Sequence, residues 1–145
     1  MDDKNRKCAI CGSLDVLPDR DQCSACRWEI AKKTHAKSIT HYLRERVNIA
    51  RHRAKKKGWD FEFTIEDAME IWRNQNGECA VTGFPMTHSM ENFEFSASID
   101  RVDNSLGYTK GNVRLVCARV NMMRNTLDAE MFLFWAKAVS KNNEA

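Results

Sequence analysis

Six cysteines are present, and four of them form two Cys-x-x-Cys pairs, Cys8/Cys11 and Cys23/Cys26, separated by eleven residues. Each pair lets two thiolates of one tight turn reach a single ion, and two such turns complete the tetrahedron Zn²⁺ prefers. A redox dithiol and four unrelated core cysteines are the alternative readings. These roughly twenty residues have no room for a core, so the metal must supply much of their folding energy. Such a zinc is structural, because four thiolates leave no open position for water.

A second set of donors is hard rather than soft. Asp100 falls at the end of a predicted strand and Asn121 on a short predicted helix beyond the next strand. In a strand-loop-strand-helix unit these places face one crevice. A carboxylate and an amide carbonyl, completed by waters and a substrate phosphate, suit Mg²⁺, which keeps much of its hydration. Asn112, at the entrance to the second strand, can hydrogen-bond the loop backbone and hold the strands in register. For each of these residues taken alone, turn or cap duty is the competing reading.

The elements that must position these residues follow from pattern. A long basic helix is predicted over about Arg27 to Lys57, ending at Gly58, with Ile30, Ile39, Leu43, Val47 and Ile49 or Ala50 near helical spacing. Phe61-Glu62-Phe63 alternates briefly. Thr64 and Asp67 match a capping box, so a helix starts at Thr64, buries Ile65, Ala68, Met69 and Trp72, and stops at Asn76-Gly77. Alternation from Phe93 to Val102 predicts a half-buried strand, and Val113 to Val116 a second one. Ala118 to Asn125 reads as a short helix, and Thr126 or Asp128 caps a C-terminal helix with apolar residues Met131, Phe132, Trp135, Ala138 and Val139. The expected class is α+β, divided as a zinc ribbon over 1–30, a basic helical linker over 31–60 and a core over 61–145.

Composition narrows the function classes. With 43% hydrophobic and 30% charged residues in 145, the chain is globular and too short for two large domains. No apolar run approaches the ~20 residues needed to cross a bilayer. The acidic start Met1-Asp2-Asp3-Lys4 is unlike a secretory signal, so a cytosol is the expected compartment. The net charge is only +3, yet Arg27 to Lys57 holds eleven Lys/Arg against Glu29 and Glu45. That asymmetry fits an element facing nucleic acid, with Arg44, Arg51, Arg53, Lys55, Lys56 and Lys57 as its contacts; a solvated helix face is the plainer alternative.

Taken together, Ser98-Ile99-Asp100-Arg101-Val102-Asp103, Gly107-Tyr108, Gly111-Asn112-Val113 and Val116-Cys117 with Asn121 and Arg124 resemble the ββα-metal core of HNH endonucleases, in the phage-type branch with "DR" in place of "DH". The upstream stretches Arg53 to Gly58, Phe63 to Asp67 and Cys79 to Met86 are similar to the leader of phage members, so the resemblance covers roughly Arg51 to Phe134. It implies an HNH-like ββα-metal core with flanking helices behind an N-terminal zinc ribbon, in a phage or bacterial setting. It implies DNA as partner, Asp100 and Asn121 as ligands of a catalytic Mg²⁺ or Mn²⁺, and Asn112 as the middle, structural Asn. The reaction implied is phosphodiester hydrolysis giving 5′-phosphate and 3′-hydroxyl ends. One such site makes one cut, so double-strand cleavage needs a homodimer or two successive events.

Arg101 departs from the family pattern, since it stands where most members have the His that activates water. Arginine stays protonated and cannot be the resting base, though it can bind the scissile phosphate. Tyr108 is the first candidate for the proton acceptor, with an ordinary pKa near ~10 as its handicap. His35, His41, His52 and His88 are read as surface or packing residues, and a metal-bound hydroxide needing no side-chain base is a further alternative. Cys79 is followed by Thr82 and Cys117 by Val120, so each pair of a second zinc site is half missing. One structural zinc per chain is therefore expected, with Cys79 and Cys117 buried as small apolar residues. Two readings compete with the nuclease: a non-catalytic DNA binder on a degenerate core, and an assembly protein using the ribbon for protein contacts.

Overall fold

The computed structural model describes residues 7–14, 16, 22–26, 38–89 and 91–144. The first long element is α1 (Ile39–Lys57), whose N-cap Ser38 accepts a hydrogen bond from the His41 N–H at 3.2 Å. It ends at Gly58, where φ is +70°, and the N–H groups of Gly58 and Trp59 both return to the Ala54 carbonyl. Only glycine takes that left-handed conformation without a steric penalty. Leu43, Val47, Ala50 and Ala54 recur along one face and are buried, whereas Ile49 points to solvent. The predicted start near Arg27 lies outside the described residues.

Helix α2 (Ile65–Asn74) begins with the expected capping box. Thr64 accepts from the Asp67 N–H at 3.2 Å, and Asp67 accepts from the Thr64 N–H at 3.0 Å. Its Ala68 is fully buried, and Ile65, Met69 and Trp72 pack against the core from the margin. Asn76 and Gly77, both with positive φ, end it.

The predicted strand from Phe93 to Val102 is split. Phe93–Phe95 is a single 3₁₀ turn, closed by Ser96, whose hydroxyl and N–H both donate to the Phe93 carbonyl. Period-2 alternation cannot distinguish a half-exposed turn from a strand, and Phe93 and Phe95 are partly exposed. The strand proper is β1 (Ala97–Arg101). It pairs antiparallel with β2 (Val113–Cys117), with Asp100 opposite Arg114 and Arg101 opposite Val113. Helix α3 (Ala118–Arg124) leaves the end of β2 directly, completing a strand-loop-strand-helix unit. The class is α+β, with a ββα core and flanking helices.

A shared apolar core joins the unit together, with Tyr42, Leu43 and Val47 of α1 meeting Phe63, Leu115 and Val116. Full burial of each such side chain contributes about 1.5–3 kcal/mol. Helix α4 (Ala129–Asn142) is capped by Asp128, one of the two expected caps. Of its periodic apolar residues only Phe132 packs against this core, while Met131, Trp135, Ala138 and Val139 are exposed. Periodicity reports that a face is apolar and says nothing of what covers it. Among the described residues no helix is long and apolar enough to cross a membrane.

Candidate active site

The loop between β1 and β2 is held by one amide. Asn112, 5% exposed, accepts from the Asp103 N–H at 2.8 Å and donates to the carbonyls of Asp103 and Gly107 at 3.0 and 2.9 Å. All three bonds lie within the loop, so its role is to fix the loop's path, and it does not line the cleft described below. At Gly107 a Cβ would fall 2.2 Å from the Asp60 carbonyl oxygen, so only glycine lets the two backbones meet. Tyr108 then donates its N–H to Asp60 at 2.8 Å and accepts from the Glu62 N–H at 2.9 Å, which explains the brief alternation at Phe61 to Phe63.

Between α1, the end of β1 and α3 lies a cleft of about 560 Å³. Asp100, Arg101, Tyr108 and Asn121 line it together, with Arg46 and Arg53 of α1 on its rim. Asp100 is 4% exposed and ionically satisfied on both oxygens. Arg114 Nε donates to Oδ2 at 2.8 Å from the opposite strand, and Arg124 Nη1 donates to Oδ1 from the end of α3. Arg124 is itself 2% exposed and also donates to the carbonyls of Arg101 at 2.7 Å and Val102 at 2.9 Å.

Asn121 is anchored through its amide nitrogen, which donates to Ser98 Oγ at 2.8 Å and to the Ile99 carbonyl at 3.3 Å. Its Oδ1 carries no hydrogen bond among the described residues. An ionised carboxylate offers about four lone-pair sites, of which the two guanidinium bonds take two. The donor set therefore fits a hard divalent cation: carboxylate oxygen from Asp100 and amide oxygen from Asn121, both at an open cleft with room for water and phosphate.

Arg101 stacks over Trp59, its guanidinium carbon 3.5 Å from the ring centroid, and stands 5.6 Å from the ring of Tyr108. Its Nη1 is tied to the carbonyls of Asn104 and Leu106 at 3.0 and 2.8 Å. The side chain is thus pre-oriented, at little further entropy cost on binding. Tyr108 is 2% exposed among the rings of Trp59 and Phe61, and its hydroxyl has no hydrogen-bond partner among the described residues. None of His41, His52 or His88 lines the cleft; His88 packs edge-on against Trp72, and His35 lies outside the described residues.

The basic residues of α1 divide between surfaces. Arg53 reaches the cleft, whereas Arg44 flanks a shallow groove against α2 and Arg51 lies over Phe61 at 5.2 Å. Lys55, Lys56 and Lys57 occupy the last turn, where cations also complement the helix dipole.

In the N-terminal segment the sulfurs of Cys8, Cys11, Cys23 and Cys26 all lie within 4.8 Å of one another, a cluster that could hold a metal ion. The N–H groups of Cys11, Cys23 and Ile10 converge on Cys8 and lower its thiol to about 6. Cys26, donating to the sulfurs of Cys11 and Cys23, is pushed up to about 12. The set is asymmetric as thiols, and a cation is what would let all four ionise.

Three contributors escaped the sequence reading, and a fourth, Arg124, was named there without a role. Arg114, Trp59 and Arg46 had no pattern to mark them, since their roles depend on strand register and on where α1 ends. Arg124 did carry a signal, because it lies three residues after Asn121 and so shares its helix face.

No known protein-family profile matches the chain, and no curated protein does. Among solved structures the chain is similar to the rare-cutting HNH restriction endonuclease PacI, at 17% identity over 94% of each chain and with a TM-score of 0.45. A likeness of that degree carries no argument about activity, which has to come from the site.

Proposed function

We propose that the chain is a metal-dependent DNA endonuclease of the HNH, ββα-metal type. The observation that carries this reading is the cleft in which Asp100 and the Oδ1 of Asn121, without a hydrogen bond among the described residues, stand beside Arg101, Arg46 and Arg53. Hard oxygen ligands surrounded by guanidinium groups suit a phosphodiester and a divalent ion together.

Asp100 and Asn121 would hold Mg²⁺ or Mn²⁺, which when bound neutralises charge on the leaving 3′ oxygen. Arg101, braced by Trp59 and its own loop, binds the scissile phosphate and stabilises charge developing on it. Tyr108, in a wall shared with Arg101, is the candidate proton acceptor and would take the proton of the attacking water only as the phenolate. Arg114 and Arg124 hold the Asp100 carboxylate in its orientation. The exposed cations of α1 follow the DNA backbone, giving affinity without base readout. The four-cysteine cluster takes one structural Zn²⁺. Cutting both strands requires two copies or two events.

One observation favours a second reading, a non-catalytic DNA binder: both oxygens of Asp100 already have cationic partners, so a metal must share them. Supercoiled plasmid incubated with the protein and Mg²⁺ or Mn²⁺ separates the two, beside EDTA and Asp100→Ala controls. Metal-dependent nicking absent from the variant supports the nuclease. An intact plasmid that is still shifted in a gel, with plasmids of varied sequence, supports the binder.

A further inference from the structure

Cys79 and Cys117 do more than fill space. The turn that carries Cys79 repeats the first knuckle of the cysteine cluster bond for bond. In the first, Gly12 N–H donates to the Cys8 carbonyl at 2.9 Å, Cys8 N–H to Ser13 at 2.8 Å, and Gly12 has φ +73°. In the second, Gly83 N–H donates to the Cys79 carbonyl at 2.9 Å, Cys79 N–H to Phe84 at 2.8 Å, and Gly83 has φ +73°. The facing cysteine matches too. Cys8 sulfur accepts from the Cys23 N–H just ahead of a helix, and Cys79 sulfur accepts from the Cys117 N–H, at 3.2 Å, just ahead of α3.

Thr82 and Val120 stand where Cys11 and Cys26 stand in the cluster. Valine offers no donor, so the knuckle is retained without a tetrahedral ligand set. What remains is the Cys79 sulfur 3.2 Å from the Cys117 N–H, with the Cys117 thiol as its neighbour.

We propose that Cys79 and Cys117 form a reversible dithiol/disulfide site, closed by a small peroxide and reopened by thiols. Burial raises the Cys79 thiol, but the Thr82 hydroxyl and the N–H groups of Cys117, Thr82 and Val81 outweigh it and bring the thiol below its ordinary value. Cys117, raised to about 11 by burial and by the neighbouring Cys79, keeps its proton. The roles follow: Cys79 attacks and Cys117 resolves. Cys79 thiolate attacks one peroxide oxygen, the O–O bond breaks, and hydroxide leaves with Cys79 as the sulfenic acid. Cys117 sulfur then attacks Cys79 sulfur, the S–O bond breaks, and the departing hydroxide takes up the Cys117 proton as water. Two thiols and one peroxide give one disulfide and two waters. The bond would pin the 79–84 turn to the start of α3, the helix that carries Asn121 and Arg124.

The test uses the full, zinc-loaded chain treated with hydrogen peroxide, then denatured, alkylated and digested with trypsin without reduction. The expected product is the peptide Asn74–Arg101 linked to Leu115–Arg119, lost on adding dithiothreitol, while the Cys8 to Cys26 peptides stay unlinked to either. Cys117→Ser should instead leave a Cys79 sulfenic acid that dimedone traps. Recovery of both cysteines as alkylated thiols, or of Cys79 as sulfinic acid beside a free Cys117, would overturn the proposal. The wild-type peptide map decides even if the variant fails to fold, and it is independent of nuclease activity.

Discussion

Arg124 Nη1 donates to Oδ1 of Asp100 with both side chains almost fully buried, and the same guanidinium caps the carbonyls that end β1. One residue therefore ties the direction of the carboxylate at the cleft to the end of β1. Among the described residues its own Nε has no hydrogen-bond partner. Removing one member of a buried ion pair costs about 3–5 kcal/mol, because the other is left unpaired. Arg124→Met should lose stability on that scale in urea unfolding, and Asp100→Asn combined with Arg124→Met should lose clearly less than the two single changes added. Additive losses would show that the pair is not coupled.

Gly107 is required by proximity rather than by an unusual φ. A methyl group there meets the Asp60 carbonyl at 2.2 Å, and backbone cannot give way as a side chain can. Gly107→Ala should destabilise by about 1–3 kcal/mol, the range for overpacking, and move Tyr108 relative to Arg101. Gly111→Ala, with nothing within 4 Å, is the control and should be close to neutral. A neutral Gly107→Ala in thermal unfolding would contradict the close approach of loop and α1 exit.

Which features were legible in the sequence follows from how local they are. The Thr64/Asp67 box, the Asp128 cap and the glycine stop at Gly58 depend on neighbours within four residues, and each lies where its spacing puts it. The Cys8 to Cys26 cluster was legible because metal chemistry constrains spacing directly. The ββα order followed from alternation and turn residues, though alternation overran into Phe93–Phe95. Arg114 reaches Asp100 only through strand register, and Trp59 reaches Arg101 only because α1 ends one residue earlier. Such partners are set by tertiary packing and leave no periodic trace.

The capping box sets a pH dependence. Bonds from Thr64, offset in part by burial and aided by Lys110, hold the Asp67 carboxyl below its ordinary value of 3.8. A depressed carboxyl contributes stability that is fully present above the unfolded pKa and lost as pH falls through the folded one. Wild type should therefore exceed Asp67→Ala in stability at pH 6, with the gap closing below about pH 4. Thr64→Ala, removing the other half of the box, should cost about 1 kcal/mol. Chemical denaturation from pH 3 to pH 6 measures both.

The last turn of α1 presents Lys55, Lys56 and Lys57 to solvent, beyond the cleft that Arg53 enters. If these cations follow phosphates, replacing all three by Gln should weaken DNA binding evenly across sequences. Each lost phosphate contact should also flatten the plot of log affinity against log salt by about 0.9. Fluorescence anisotropy at several salt concentrations reads both quantities. An unchanged slope would place the DNA elsewhere.

Two cysteine knuckles of like geometry make opposite predictions about zinc. The Cys8 to Cys26 cluster should bind one ion per chain and release protons as it does so, since Cys26 keeps its proton up to about 12 without a cation. Calorimetry in buffers of different ionisation enthalpy would count those protons, and Cys23→Ser should abolish the binding. At the Cys79 turn the missing ligands are supplied by substitution: Thr82→Cys with Val120→Cys should raise the zinc content from one ion per chain to two, because the turn and its facing strand already hold the positions a second tetrahedron needs. Elemental analysis after dialysis gives the count. Two ions in the unsubstituted chain would mean that Thr82 and Val120 are no obstacle, whereas one ion in the double variant would mean that the likeness of the two turns stops at the backbone.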